Sequence, residues 1–139
     1  MGDLYRSFVS GFCSHDNIQV TGSGEGPLAG LTFAVKDIID VAGQTTGGGN
    51  PDWYHSHEPA TRHATAVQRV LDAGADMVGK TITEEFAYGL IGENYHYGTP
   101  VNPRVEGGVP GGSSSGSASV VANGQADFAY LGEAKWLMA

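Results

Sequence analysis

The sequence has 139 residues, with 7 Lys+Arg against 15 Asp+Glu for a formal net charge of −8, and 22 glycines. That length predicts one domain, and the acid excess argues against sequence-independent nucleic-acid binding and against docking on anionic membranes, both of which need a basic face. A hydrophobic content of 40% excludes a disordered chain.

Residues 1–29 read as an irregular opening that ends in the Gly-rich stretch Gly22-Ser23-Gly24-Glu25-Gly26-Pro27. Met1 to Arg6 lacks the basic start and apolar run of a signal peptide, and no run approaches the ~20 apolar residues of a membrane span. The single cysteine, Cys13, excludes an intrachain disulfide and fits a reducing compartment. A cytoplasmic protein without membrane or nucleic-acid partners is expected.

Leu31 to Val35 reads as a buried strand ending at Lys36-Asp37, and Ile38 to Val41 continues extended or turns toward the breaker Gly47-Gly48-Gly49-Asn50-Pro51. Asp52-Trp53-Tyr54 is expected in a partly buried loop. A helix is predicted from Ala60, capped by Thr61, with Ala66, Val67, Val70 and Leu71 as its apolar stripe and Gly74 as its stop. A second strand follows over Ala75 to Gly79, then a short capped helix over Thr83 to Tyr88, whose Glu84-Glu85 reads as a solvated first turn. Gly92 to Gly112 is expected as loop, with Tyr95, His96 and Tyr97 packing around it, and Ser117 to Ala122 as a tightly packed helix stopped near Asn123-Gly124. Strand–helix–strand alternation argues for an α/β fold.

The segment richest in chemical possibilities is Gly111-Gly112-Ser113-Ser114-Ser115-Gly116-Ser117. A flexible linker would not lead directly into an apolar, helix-compatible run. A phosphate loop needs Lys then Ser or Thr after the second glycine, and no lysine occurs there. Gly112 to Gly116 matches the nucleophile-elbow pattern around Ser114, but that fold needs a downstream histidine, and all five histidines lie upstream. A lysine base is the remaining option. Its amine must be desolvated to deprotonate a hydroxyl, and Lys36, at the end of an apolar strand, suits that. Asp37 should face the other way and leave the lysine amine free of a carboxylate.

Gly30 to Asp37, Gly92 to Pro103 and Pro110 to Ala118, joined by Gly79-Lys80-Thr81 and Glu85 to Gly89, together resemble the amidase signature family over about Pro27 to Gly132. The resemblance implies an α/β/α sandwich around a mixed sheet, incomplete in this chain, over residues 30–132. It also implies a Ser–cis-Ser–Lys triad in which Lys36 is the base and Ser113, after a cis peptide bond, is the bridging serine. Gly111, Gly112 and Ser114 would support the site or bind substrate. The family's nucleophile lies beyond this, in a Gly-Thr/Ser-Asp-Thr-Gly-Gly-Ser segment. Here the match runs through Ala126-Asp127-Phe128-Ala129 to Gly132, and residues 133–139 diverge with no serine, threonine or glycine.

No residue of this chain is therefore assigned as nucleophile, and the chain alone is expected to be inactive. The implied reaction is hydrolysis of a linear primary amide to acid and ammonia, without cofactor or metal, with a homodimer in the full-length protein. The Gly49 to Trp53 and Gly92 to Pro103 stretches look most like plant and bacterial amidases of the indoleacetamide hydrolase type. Alternatives are the glutaminase subunit of a tRNA-dependent amidotransferase and a non-catalytic fragment or binding module. His55, His57 and His63 could suggest a metal cluster, but no further ligand has matching spacing.

Overall fold

Thr32–Lys36 (β2) carries the fold. Phe33, Ala34 and Val35 are fully buried, so the strand is covered on both faces, as its unbroken apolar run predicts. A computed structural model describes residues 7–15 and 17–132. In it β2 is flanked by Asp76–Thr81 (β3) and Phe128–Tyr130 (β5), in the order β3-β2-β5 with both pairings parallel. The register places Val35 opposite Lys80 and Lys36 opposite Thr81.

Alternation along β2 sorts its side chains between two cores. Phe33 and Val35 join Val41, Met77 and the Val67–Leu71 stripe of Thr65–Asp72 (α2). Ala34 packs instead with Val120 of Ser115–Ala122 (α3) and with Ala126. Each large buried side chain contributes about 1.5–3 kcal/mol. One helix therefore covers each face of a parallel sheet, which is an incomplete α/β layer arrangement. Lys36, two residues after Ala34, belongs to the α3 face, and Asp37 to the α2 face.

Several local expectations are corrected. The helix expected from Ala60 with Thr61 as cap begins at Thr65, with Ala64 as its N-cap. The preceding backbone is engaged elsewhere, since Ala60 N–H donates to Gln44 O and Ala64 N–H to Asp40 O. Asp52 to Tyr54, expected as loop, lie in the helix Pro51–Ser56 (α1). Asn50 accepts from Trp53 N–H at 2.9 Å and Pro51 takes the first turn, so the supposed breaker is a helix start. The helix expected over Thr83 to Tyr88 shrinks to a 3₁₀ turn at Glu85–Ala87, with Phe86 and Ala87 at φ 49° and 57°. There Glu84 N–H donates to Ser113 O and Phe86 N–H to Gly48 O, so two backbone donors serve neighbouring loops.

The opening segment is tied down too. Phe8–Val9 (β1) pairs in parallel with Thr99–Pro100 (β4), a short strand inside the expected loop, and Phe12 and Val20 bridge to β3. α3 begins two residues earlier than expected, at Ser115. Its Gly116 sits so close to Gly11 O and the Ile82 backbone that no Cβ fits. Among the described residues no helix is long and apolar enough to cross a membrane. The expected divergent tail at 133–139 lies outside them.

Candidate active site

Lys36 ends β2 and is 2% exposed. Ser113 lies just before α3, where Gly111 N–H and Gly112 N–H donate to Ile91 O and Leu90 O and the Gly112–Ser113 peptide is cis. These two elements bring Lys36 Nζ to 2.6 Å from Ser113 Oγ, across 77 residues of sequence. Burial pulls the Lys36 amine down from 10.5 to about 8, against an opposing upward pull from the Glu84 carboxylate. An amine with that pKa is neutral in roughly a tenth of molecules at pH 7, against well under a thousandth for an ordinary lysine. It can take a proton from a hydroxyl in contact with it.

Gly111 and Gly112, expected to support the site, form the turn just before Ser113. Gly111 has φ 81°, and a Cβ on Gly112 would collide with the Glu84 carboxylate. Ser114 is fully buried, and its Oγ has no hydrogen-bond partner among the described residues. Its backbone carbonyl accepts from Ala118 N–H at 3.0 Å at the start of α3.

Glu84 departs from its expected solvated position, because it is 4% exposed. One carboxylate oxygen accepts from Gly92 N–H at 3.0 Å, the other has no partner among the described residues, and its backbone N–H donates to Ser113 O at 2.9 Å. Its sequence context, the first turn of an expected helix, gave no sign of burial. Neighbouring Glu85 remains half-exposed, and hydrogen bonds from Asn50 and His96 hold its carboxyl below the ordinary range.

On the other face of β2, Asp37 meets Lys80, His15 and Cys13. Lys80 Nζ lies 2.8 Å from Asp37 Oδ1 with both side chains almost fully buried, His15 Nε2 is 3.4 Å from Oδ2, and Gly47 N–H donates to the carboxylate. Burial pushes the Asp37 carboxyl up, but the His15 contact, the Lys80 charge and the donated hydrogen bonds together hold it below its ordinary value. The Cys13 thiol is pushed up by burial and by Asp37, and the Tyr97 hydroxyl to about 12 by burial, Asp37 and Cys13. Cys13, His15 and Asp37 offer three ligand types within 4.8 Å of one another. The Lys80 ammonium already supplies the positive charge there.

His55, His57 and His63 serve separate local roles. His57 stacks on Trp53 at 3.6 Å, His55 Nδ1 contacts Pro51 O, and His63 Nδ1 accepts from Ala42 N–H. Among the described residues the Cys13–His15–Asp37 group is the one with three potential ligands together.

A family model described as Amidase matches residues 14–132. Amidase 1 of Oryza sativa subsp. japonica is 58% identical over 102 residues, covering 73% of this chain and 23% of that protein. Translocon at the outer membrane of chloroplasts 64 of Pisum sativum is 49% identical over 102 residues, covering 73% of this chain and 17% of its own length. Among solved structures, that of 6-aminohexanoate cyclic dimer hydrolase superposes with a TM-score of 0.70 at 32% identity, over 76% of this chain and 22% of that one. The chain thus spans 23% of the rice relative's length and 17% of the pea relative's.

Proposed function

The chain belongs to the amidase family, and from that premise we propose that it carries the base and the relay of an enzyme hydrolysing the C–N bond of a linear primary amide. The observation that carries this reading is the 2.6 Å approach of Lys36 Nζ to Ser113 Oγ on a buried strand end. In this reading Lys36, neutral, accepts the Ser113 hydroxyl proton while Ser113 Oγ takes the proton of a nucleophilic serine. That serine's oxygen bonds to the amide carbon, the lysine returns the proton through Ser113 to the departing nitrogen, and ammonia leaves. Water then attacks the acyl-enzyme by the same route and releases the acid.

The nucleophile is assigned to sequence outside these 139 residues, since no segment here matches the family's Gly-Thr/Ser-Asp-Thr-Gly-Gly-Ser motif. The chain alone is accordingly inactive, and the reaction needs no cofactor or metal. A cytoplasmic location, and a homodimer for the longer protein, belong to the same proposal. The pea relative is named for the outer membrane of chloroplasts, so fractionation of the tagged chain is the check on location.

The test is a chimera in which residues 14–132 replace the matching segment of rice Amidase 1, assayed for ammonia release from indole-3-acetamide. The expected result is turnover that Lys36→Ala and Ser113→Ala each reduce at least about a hundredfold. A folded chimera whose activity survives either substitution would overturn the reading.

A further inference from the structure

Glu84 is a buried acid that the proposed reaction leaves unused. One contact ties it to Ser113, and two more hold it against the neighbouring Gly112 and Gly92. Its backbone N–H donates to Ser113 O at 2.9 Å, its carboxylate fills the space a side chain at Gly112 would need, and Gly92 N–H holds one carboxylate oxygen at 3.0 Å. The second oxygen is buried with no hydrogen-bond partner among the described residues. A buried carboxylate with an open acceptor costs free energy unless a positive charge offsets it at some stage of the working cycle.

We propose that Glu84 is a positioning residue for the Lys36–Ser113 pair: its backbone fixes Ser113, and its carboxylate is the counter-charge for the ammonium that Lys36 becomes when it accepts the proton. The inference rests on the base-and-relay reading above. Glu84 gains no proton in this scheme. The proton moves from Ser113 Oγ to Lys36 Nζ, Ser113 recovers one from the nucleophile, and Glu84 lowers the free energy of the charged intermediate electrostatically. The alternative counter-ion is already engaged, because Asp37 faces the other side of β2 and is held by Lys80 at 2.8 Å. Burial disfavours the Lys36 ammonium, and Glu84 is the charged group that favours it. A base emptied of positive charge by burial alone would be a poor proton acceptor, and Glu84 restores its basicity.

The experiment follows the Lys36 side-chain resonances of the 139-residue chain by NMR from neutral to alkaline pH, in the unaltered chain and in Glu84→Gln. The amide keeps the shape and the Gly92 contact but removes the charge. Lys36 is expected to titrate near 8 in the unaltered chain, and about one unit lower in Glu84→Gln, a roughly tenfold loss of proton affinity. A midpoint near 8 in both chains would overturn the inference while leaving the base reading intact. A midpoint near the ordinary 10.5 in the unaltered chain would overturn the base reading and the inference with it. Should Glu84→Gln fail to fold, the Glu84 carboxyl resonance of the unaltered chain gives the answer. It must show an inflection as Lys36 loses its proton, and that inflection must vanish in Lys36→Met; its persistence there would refute the pairing.

Discussion

Asp37 and Lys80 form a buried ion pair at 2.8 Å, one residue along the chain from a lysine that, among the described residues, touches no carboxylate oxygen within hydrogen-bond range. The parallel register produces this separation. Val35 is opposite Lys80 and Lys36 opposite Thr81, so Lys80 shares a face with Asp37, and Lys36 turns to the other. Two lysines at adjacent strand ends thereby receive different electrostatic environments.

Breaking that pair should be costly. Asp37→Asn leaves the Lys80 ammonium buried without its carboxylate, and a loss of about 3–5 kcal/mol is expected, a large share of the roughly 5–15 kcal/mol of a typical domain. Asp37→Asn with Lys80→Met should recover much of it. Urea denaturation of the two variants gives the comparison, and a double variant as unstable as the single one would contradict the pairing argument.

Lys36 should make the chain less stable at neutral pH than it would be with an apolar residue there. Its folded pKa, about 8, lies below its ordinary 10.5, so between those values the unfolded chain binds more protons. Stability from this group therefore rises as pH climbs from about 8 to 10.5 and carries its full penalty below that window. Lys36→Met is expected to raise stability at pH 7 by about 1–3 kcal/mol, and by less in the alkaline range. Thermal melts at two pH values decide it; an equal gain at both would point to packing alone.

Gly116→Ala tests the packing of α3 against the site. Alanine would favour the helix by about 1 kcal/mol, yet its methyl would press on Gly11 O and on the Ile82 backbone, neither of which is the end of a flexible side chain. Overpacking costs about 1–3 kcal/mol or more. Net destabilisation and a looser burial of Lys36, visible as a Lys36 midpoint returning toward 10.5, are expected; a stabilised variant would show the helix free to move away.

At the other edge, Asn50 has two jobs. Its carbonyl oxygen caps α1 at Trp53 N–H, and its amide donates to Glu85 Oε1 at 2.6 Å. Asn50→Ala should cost about 1 kcal/mol from the lost cap and raise the Glu85 carboxyl pKa, because its main depressing contact disappears. Asn50→Asp should keep the cap and still raise that pKa, by placing a second carboxylate beside Glu85. Carboxyl NMR titration separates the two effects.

Local sequence settled the parts of this protein whose physics is local. An unbroken apolar run has one stable solution, a strand covered on both faces, so β2 was legible, as was the amphipathic stripe of α2. The pairing of Lys36 with Ser113 was expected from the resemblance of their motifs to the amidase signature family, and the fold brings the two side chains into contact. Tertiary structure decided the rest. Asn50-Pro51 serves as a breaker or as a helix start according to whether Trp53 N–H finds the Asn50 oxygen. Glu84 reads as a solvated turn until the Gly112–Ser113 turn closes over it, and Asp37 and Lys80 become partners only when β2 and β3 pair in one register. Those outcomes depend on contacts between residues far apart in the chain, and burial, which sets the charge state of Lys36, exists only once the layers have packed.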